Sequence, residues 1–493
     1  MPSIVIIGSG IGGLSAAALL AAAGEEVVVC EAAATPGGKL RELAVDGRAL
    51  DAGPTVFTMR WVFEAIFAAA GARLDEYLTL HPVKTLARHA WGPEARLDLF
   101  ADIDASADAI GTFAGAAEAT RFRAFAAEAR RTYTTLEHSF LDAPATNPIG
   151  LTARIGLSRP GDLLSIRPFE TLWGALGGYF HDPRLRQLFG RYATYSGASP
   201  YLAPATLMLI AHVENSGVWQ VEGGMHRIAR AFEALAESRG ARFRYVAPVA
   251  EIVVGRGGAE GVVLASGERI EARAVVVNAD AQAVASGRFG AAARRAVPAM
   301  PARDRSLSAL TWTLVAETSG FDLSHHNVFF ADDYRAEFDP IFGHARLPER
   351  PSVYVCAEDR GETAAGHGAE RLHMIVNAPA TGDGRGLTAG EIDACEQATF
   401  AMLARSGLSV VRTAAATVRT TPADFEALFP ATGGALYGRA SHGWRASFQR
   451  PGSTTRIPGL YLAGGSTHPG AGVPMAALSG RLAARAVLRD RVR

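Results

Sequence analysis

The first thirty or so residues show a strand pattern of apolar positions, then a helical composition, and then a second strand pattern. The β-branched run from Ser3 to Ile7 has the pattern of a buried strand, and it is followed by the glycine-rich string GSGIGG. The string LSAAALLAAAG then has the composition of a helix that Gly24 ends, and EEVVVCE has the pattern of a second strand. The pattern predicts a unit of strand, glycine turn, helix and strand.

The middle of the chain has first a helical and then a strand pattern. Between about Glu76 and Val213, apolar residues recur every three or four positions, which predicts a largely helical region with breaks at DAPATNPIG and GLSRPGD. One face of the next predicted helix is apolar, with Ile228, Ala231, Phe232 and Leu235. Strands are predicted at ERIEARAVVVNAD, SLSALTWTLVAE, SVYVCAED and RLHMIVNAPA, and HHNVFFADDYRAEFD is expected to be a connection.

The C-terminal segment LYLAGGSTHPGAGVPMAALSG combines an apolar run, a turn rich in glycine and the beginning of a helix. Pro474 suits the first turn of that helix, because the N–H that proline lacks has no intrahelical partner there. We therefore expect a second strand-turn-helix unit at this end of the chain.

Length and composition limit the classes of protein to consider. With 493 residues, 48% hydrophobic and 20% charged, the chain is expected to fold into two or three structural units. Basic and acidic residues both number 49, and the resulting net charge of zero argues against nucleic-acid binding. Cys30, Cys356 and Cys395 lie far apart without zinc spacing, so neither a metal site nor a disulfide framework is predicted.

The sequence also indicates where the protein works. No basic segment or cleavage site precedes the first strand, and the longest uncharged stretches fall short of the roughly 20 residues that a transmembrane helix needs. We therefore expect a protein of the reducing cytoplasm. Composition does not decide whether the protein contacts a membrane peripherally.

The first strand-turn-helix unit carries a nucleotide-binding pattern. Gly8, Gly10 and Gly13 fill the motif GxGxxG, and Glu31 stands at the end of the second strand. Such glycines let the backbone approach a pyrophosphate at the helix N-terminus, and the acid accepts a ribose hydroxyl. The spacing predicts a dinucleotide site without distinguishing a nicotinamide from a flavin.

Two strings that follow add residues suited to phosphate or to the edge of a flavin. ATPGGKLRE places Lys39 and Arg41 beside a glycine pair that includes Gly38. LDAGPTVF marks a rigid turn at Gly53 and Pro54. These residues are therefore further candidates for cofactor contacts.

GSGIGG, Glu31, PGGK and DAGPT together resemble the opening of the flavin-dependent carotenoid desaturases, a group within the amine-oxidase-like flavoproteins. That group typically has Arg where this chain has Lys39, and both side chains are cations. The resemblance implies FAD as cofactor and an α/β fold with a Rossmann-like FAD-binding domain. It also implies a substrate domain floored by a sheet and a helical region that faces a membrane.

The resemblance further implies cofactor contacts outside the N-terminal motifs. The backbone of Val249 would meet the adenine, and the C-terminal unit would pass under the flavin. A helix N-terminus aimed at the flavin would stabilise the negative charge that the reduced ring acquires. The C-terminal contacts implied are Gly464, Gly465, Val473, Pro474 and Met475.

The family pattern also divides the chain. Residues 1–75, 214–285 and 441–493 would form a discontinuous FAD-binding domain. Residues 286–440 would form the substrate-binding domain with a mixed sheet. Residues 76–213 would form a mainly helical region for substrate access and membrane docking.

Longer strings narrow the resemblance to the acyclic hydroxycarotenoid 3,4-desaturases of purple photosynthetic bacteria. They are GPTVFTMRWVFEAIFAAAG, VWQVEGGMHRIARA, VYVCAEDRG and GGALYGRASHGWRASFQRPG. The implied reaction forms the C3–C4 double bond of a 1-hydroxy or 1-methoxy acyclic carotenoid such as 1-hydroxyneurosporene, by hydride transfer to flavin N5 and loss of a proton.

The resemblance to this branch also implies the partners. They are a long apolar carotenoid, the surface of the inner or intracytoplasmic membrane, and oxygen or a quinone as electron acceptor. Apolar helices in residues 160–215 are the expected docking surface, and ordinary helical core is the alternative there.

Two other functions are compatible with the same motifs. One is phytoene desaturation or another flavin oxidase activity of this fold, such as that of amine oxidases. The other is a prenyl-lipid binding module without redox chemistry, like the GDP-dissociation inhibitors. The intact glycine fingerprint and Glu31 argue against the second.

The catalytic side chain is not determined by any motif. His468, in the C-terminal glycine turn, is a weak candidate for a direct role. His325 and His326 are adjacent, so their side chains are expected to point in opposite directions, and no carboxylate is spaced to orient them. The residue that accepts the proton therefore stays open.

Overall fold

The computed structural model describes residues 4–156, 167, 169–361 and 368–491 of the chain. Predictions that concern residues 157–166 and 168, including part of the string GLSRPGD and of the expected docking surface, lie outside the described residues.

The helices of the described ranges are α1 Ile11–Ala22, α2 Arg60–Ala69, α3 Ile103–Ala114, α4 Ala116–Leu136, α5 Pro148–Ile155, α6 Leu172–Tyr179, α7 Pro183–Gly190, α8 Leu209–Asn215, α9 Arg227–Ser238, α10 Ala281–Ser286, α11 Arg335–His344, α12 Ala389–Arg405, α13 Pro422–Leu428 and α14 Val473–Arg491.

The strands are β1 Ile4–Ile7, β2 Val27–Cys30, β3 Glu42–Val45, β4 Arg48–Asp51, β5 Phe57–Thr58, β6 Leu80–Pro82, β7 Thr85–Trp91, β8 Ala95–Phe100, β9 Val218–Val221, β10 Arg242–Arg244, β11 Val249–Val254, β12 Ala259–Leu264, β13 Arg269–Glu271, β14 Ala274–Val277, β15 Ser308–Ser319, β16 His326–Phe329, β17 Val353–Ala357, β18 Glu370–Ala378, β19 Ser409–Val411, β20 Thr417–Thr420 and β21 Leu460–Leu462.

A parallel sheet with the order β10-β2-β1-β14-β21 forms the first layer. Its central strands are short, fully buried β-branched runs, as expected for a parallel sheet that is covered on both faces. The five strands come from residues 4–30, 242–277 and 460–462, so distant parts of the chain meet in one sheet. All of them fall inside the segments expected to form the FAD-binding domain.

The first and last long helices pack against each other on this sheet. Ser15 Oγ in α1 donates a hydrogen bond to the carbonyl oxygen of Ala477 in α14 at 2.9 Å. A Cβ atom at Gly480 would lie 2.1 Å from the carbonyl oxygen of Gly12, a separation that only glycine permits. The N-terminal and C-terminal units predicted from sequence therefore form one body.

A mixed sheet with the order β19-β15-β18-β17-β16-β7-β8 forms the second layer, and β20 also pairs with β15. Its central strand β15 is long and mostly buried, and it pairs antiparallel with β18. Within this sheet β16 pairs with β7 in parallel, whereas the other pairs are antiparallel. This is the sheet expected to floor the substrate domain.

Two stretches of the chain differ from the sequence prediction. Residues 80–100, assigned to the mainly helical region, form β6, β7 and β8, and the hairpin of β7 and β8 extends the mixed sheet. The segment from His325 onwards, expected to be a connection, contains β16 and α11. Both stretches are short, and pairing with a distant strand decided their conformation more than their own periodicity.

The helices α3, α4 and α6 to α8 form the layer that covers one side of the mixed sheet, with an aromatic core that includes Phe122, Phe125 and Phe189. Among the described residues, no helix combines the length and the apolar character that crossing a bilayer requires.

Candidate functional site

One cavity of about 730 Å³ connects the carboxyl ends of the parallel strands with the mixed sheet. Most of the residues proposed from sequence as cofactor contacts line it, although they come from five separate segments. They are Gly8, Gly10, Glu31, Gly38, Lys39, Gly53, Pro54, Val249, Gly464, Gly465, Val473, Pro474 and Met475. Gly13 and Arg41 do not line the cavity.

Gly13 supports the turn from behind instead of facing the cavity. A Cβ atom at this position would lie 2.2 Å from the carbonyl oxygen of Gly8. The third glycine of the motif is therefore required because helix α1 packs tightly on the turn, which is the packing role of that position in dinucleotide folds. Gly8 itself has φ of +93°, a conformation that favours glycine.

Glu31 is held rigidly at the end of β2. Its Oε2 atom accepts hydrogen bonds from the Ser9 backbone N–H at 2.6 Å and from Ser9 Oγ at 2.8 Å. Its Oε1 atom accepts from the Ala33 backbone N–H at 2.8 Å. These bonds fix the carboxylate beside the glycine turn, and because each oxygen has two lone pairs, acceptor capacity is left for a ribose hydroxyl.

Two cations border the cavity, the partly buried Lys39 beside the glycine pair at residues 37–38 and the buried Arg450 beside the C-terminal glycine turn. Lys39 Nζ donates to the carbonyl oxygens of Leu436 at 2.7 Å and Ala435 at 3.4 Å, and burial lowers its pKa. The third N–H of the ammonium group stays available. Arg450 donates to the carbonyl oxygens of Tyr437, Arg439 and Gly465, and burial lowers its pKa to about 10.

Arg41 has a structural role away from the cavity. Its Nε atom donates to the Ala52 carbonyl oxygen at 3.0 Å, and its Nη2 atom donates to Thr420 Oγ1 at 3.1 Å. The guanidinium also lies 5.5 Å from the ring centroid of Phe425. The prediction that Arg41 contacts the cofactor is not supported, because these contacts hold its guanidinium away from the cavity, which Lys39 lines.

The C-terminal turn is placed directly beneath the cavity. The Gly464 backbone N–H donates to Ser479 Oγ at 3.0 Å, which ties the turn to helix α14. That helix begins at Val473, and its first three residues line the cavity. The unpaired N–H groups of the helix N-terminus therefore face the space where a negative charge would be stabilised.

His468 packs in the protein interior and does not line the cavity. Its Nε2 atom donates to the carbonyl oxygens of Phe140 at 3.0 Å and Ala143 at 2.8 Å, and the ring packs edge-on against Phe140. Burial lowers its pKa, so the ring is neutral near pH 7. The weak prediction of a direct catalytic role is therefore not supported, because the ring connects two segments.

His325 and His326 lie close together but outside the cavity lining. His325 Nδ1 lies 2.7 Å from the Arg360 carbonyl oxygen, and His326 Nδ1 lies 2.7 Å from Tyr354 Oη. Sγ of Cys356 is 3.6 Å from His325 Nε2. Neither histidine faces the cavity.

Several polar residues of the cavity were not found by sequence reasoning. Asn278, near the end of the string ERIEARAVVVNAD, packs its side chain against the glycine turn and Gly464. Arg191, Tyr195, Glu214, Tyr334 and Tyr354 line the part of the cavity next to the mixed sheet. These five belong to four separate elements without a shared motif, so local sequence carried no signal for them.

The cavity fits an extended dinucleotide with an aromatic ring at one end. Glycine backbone and a helix N-terminus border it at the Gly8 turn, as a pyrophosphate requires. Lys39, Gly53, Pro54 and the first turn of α14 surround the position expected for the ring. Beyond that position the walls are mostly apolar and include Leu207, Ile210 and Val213, which belong to residues 160–215, the expected docking surface.

Comparisons with known proteins agree on the type of protein. The sequence model of the family described as flavin containing amine oxidoreductase matches residues 11–488. Hydroxyneurosporene desaturase of Rubrivivax gelatinosus is 55% identical over 98% of this chain and 93% of its own length. The enzyme of the same name from Cereibacter sphaeroides is 46% identical over 99% of this chain and 98% of its length.

The fold has counterparts among solved structures. Putrescine oxidase bound to putrescine superposes with a TM-score of 0.60, covers 100% of this chain and 99% of its own, and is 17% identical. At that identity the likeness concerns the fold alone.

Proposed function

The chain belongs to the flavin containing amine oxidoreductase family, and from this premise we propose that it is an FAD-dependent carotenoid desaturase that forms the C3–C4 double bond of 1-hydroxy or 1-methoxy acyclic carotenoids. The observation that carries the proposal is the near full-length identity to the hydroxyneurosporene desaturases. The predicted resemblance to the carotenoid desaturases is thereby confirmed.

The substrate explains why the site lacks a familiar catalytic constellation. An acyclic carotenoid has no acidic C–H and no leaving group at C3 or C4, so acid-base chemistry alone is insufficient and a redox cofactor is required. Bound FAD supplies the hydride acceptor. The chain binds and orients both molecules, and its apolar walls exclude water from the reacting carbons.

The residues that line the cavity suit this role of binding and orienting the cofactor. Glu31 and the Gly8 turn would hold the adenosine and pyrophosphate end, and Lys39 with the N-terminus of α14 would hold the ring. The N-terminus of helix α14 lies at the cavity because Gly480 lets this helix approach α1 closely. The positive end of the helix favours negative charge on its ligand.

We also propose that the protein takes its substrate from a membrane surface and works in the cytoplasm, bound peripherally to the inner or intracytoplasmic membrane. A long apolar substrate has its reservoir in lipid. The large exposed apolar side chains Ile149, Phe169 and Leu202 in the helical layer support such contact. Oxygen or a quinone would reoxidise the cofactor.

The test uses the purified chain with FAD and liposomes that contain 1-hydroxyneurosporene. The expected product has one more conjugated double bond, and its absorption bands lie at longer wavelength. Conversion of only phytoene or neurosporene would refute the assigned substrate and favour a phytoene desaturase. Oxidation of amines with no conversion of any carotenoid would refute carotenoid desaturation.

A further inference from the structure

The cavity wall next to the mixed sheet contains an arginine without an acid partner. Arg191 begins the short helical turn after α7, and its Nη1 atom donates to Tyr195 Oη at 3.2 Å. Its Cζ atom lies 5.1 Å from the ring centroid of Tyr354. Within the described ranges, no carboxylate oxygen lies within the 4.0 Å of an ion pair with Arg191.

Arginine carries five N–H donors, and the described residues supply one hydrogen-bond acceptor, Tyr195 Oη, to Arg191. The nearby carboxylate of Glu214 instead accepts a hydrogen bond from Tyr192 Oη at 2.7 Å. Several donors of a charged group are therefore free at the wall of a largely apolar cavity. Such donors can bond an uncharged oxygen that enters with an apolar ligand, and the positive charge of the guanidinium strengthens that hydrogen bond.

A second donor in the same wall lacks a partner. The side chain of Tyr334 is 5% exposed, and its hydroxyl is buried without a hydrogen-bond partner in the described part of the chain. An unpaired buried hydroxyl destabilises a folded protein unless a ligand pairs with it. Arg191 and Tyr334 line the same cavity, so one ligand group can approach both.

This pair of donors lies beside the expected position of the flavin. The ring of Tyr354 lies against Arg191. The hydroxyl oxygen of Tyr354 is 2.6 Å from Thr55 Oγ1. Thr55 directly follows Gly53 and Pro54, which border the expected position of the flavin ring. The proposed reaction occurs at C3 and C4, and C1 is only two bonds from C3, so the group that binds an oxygen on C1 must lie close to the reacting atoms.

We propose that Arg191 and Tyr334 form a subsite that binds the oxygen atom on C1 of the carotenoid and so selects oxygenated substrates. This inference rests on the proposed function and adds the residues that determine its specificity. Because both groups donate, the subsite binds an ether oxygen as well as a hydroxyl. A hydrocarbon end leaves both donors unpaired and is rejected.

The test compares Arg191→Met and Tyr334→Phe with the wild-type holoenzyme on 1-hydroxyneurosporene and neurosporene. Arg191→Met is expected to lower kcat/KM for the hydroxylated substrate by about 10- to 100-fold, as for loss of a charged donor. Tyr334→Phe is expected to lower it by about 2- to 10-fold, and its hydroxyl has no protein partner whose loss would disturb folding. In both variants the ratio of kcat/KM for 1-hydroxyneurosporene to kcat/KM for neurosporene is expected to fall.

Arg96→Met is the matched control, because Arg96 also lies over an aromatic ring, that of Phe321 at 4.3 Å, but is exposed and outside the cavity. It is expected to leave the preference between the two carotenoids unchanged. Co-elution of each carotenoid with the protein on gel filtration measures binding independently of turnover. Flavin absorbance per chain and the thermal midpoint show whether each variant is folded.

The outcomes separate this inference from the proposed function. If the wild type prefers 1-hydroxyneurosporene and both folded variants keep that preference, the subsite is wrong while the function stands. If the wild type converts both carotenoids equally well, the subsite is wrong while the proposed reaction stands. If the wild type converts only neurosporene, the assigned substrate is wrong and the subsite falls with it. If Arg191→Met loses its flavin, the substrate preference of Tyr334→Phe tests the subsite instead, and an unchanged preference in that variant would refute it.

Discussion

Gly480→Ala tests whether close contact between the first and last helices holds the cofactor site together. The added Cβ would lie 2.1 Å from the Gly12 carbonyl oxygen and 2.8 Å from Ser15 Cβ. Carbon to carbonyl-oxygen contacts normally reach no closer than about 3.3 Å, so α14 must move by about 1 Å or more. The displacement strains the bonds from Ser15 to Ala477 and from Gly464 to Ser479.

The expected loss in free energy of unfolding follows from these contacts. Overpacking costs about 1 to 3 kcal/mol and each weakened hydrogen bond about 1 kcal/mol, so the free energy of unfolding should fall by about 2 to 5 kcal/mol. Because Gly464 lies in the turn beneath the cavity, the flavin bound per chain should fall as well. Urea unfolding followed by circular dichroism measures the first quantity, and visible absorbance after gel filtration measures the second.

Gly178→Ala provides the control for this experiment. Gly178 is exposed in helix α6, and a Cβ there meets no atom within 4 Å. Alanine favours a helix over glycine by up to about 1 kcal/mol, so this variant should be as stable as the wild type or slightly more stable. A Gly480→Ala protein with wild-type stability and full flavin content would refute the argument from close packing.

Three further predictions concern single side chains. Glu31→Ala leaves the Ser9 and Ala33 backbone N–H groups without their acceptor and should weaken FAD binding by roughly tenfold or more in a flavin fluorescence titration; unchanged affinity would contradict the assigned role. His468→Gln should lower the thermal midpoint yet leave turnover per bound flavin and its pH profile unchanged, because the ring bonds only backbone carbonyls; a lost limb of the profile would restore a catalytic role. Burial lowers the pKa of His89 to about 4, whereas a histidine in the unfolded chain has a pKa of about 6.5. Between these two pH values, the His89 imidazole is protonated in the unfolded chain and neutral in the folded one. Acidification through that range should therefore lower the free energy of unfolding by about 1.4 kcal/mol per pH unit, and His89→Gln should reduce the slope in urea unfolding.

Motifs along the chain predict the parts of the site that depend on neighbouring residues. The turns at Gly8 and Gly464 need small residues between a strand and a helix, and Glu31 follows the second strand at a recognisable distance from the first turn. Such local steric requirements are visible as motifs, and the structure brings all three to one cavity. The family followed from the same motifs, because together they are far more specific than any one of them.

Which side chains face the cavity and which strands join a sheet could be read only from the folded chain. Arg191 and Tyr334 are more than 140 positions apart in the sequence and meet the cavity only after the helical layer packs on the mixed sheet. Arg41 and His468 seemed suited to chemistry, yet they bond backbone groups elsewhere. The physical reason is that contacts between distant segments arise from packing of whole elements, which leaves no periodic or local pattern along the chain.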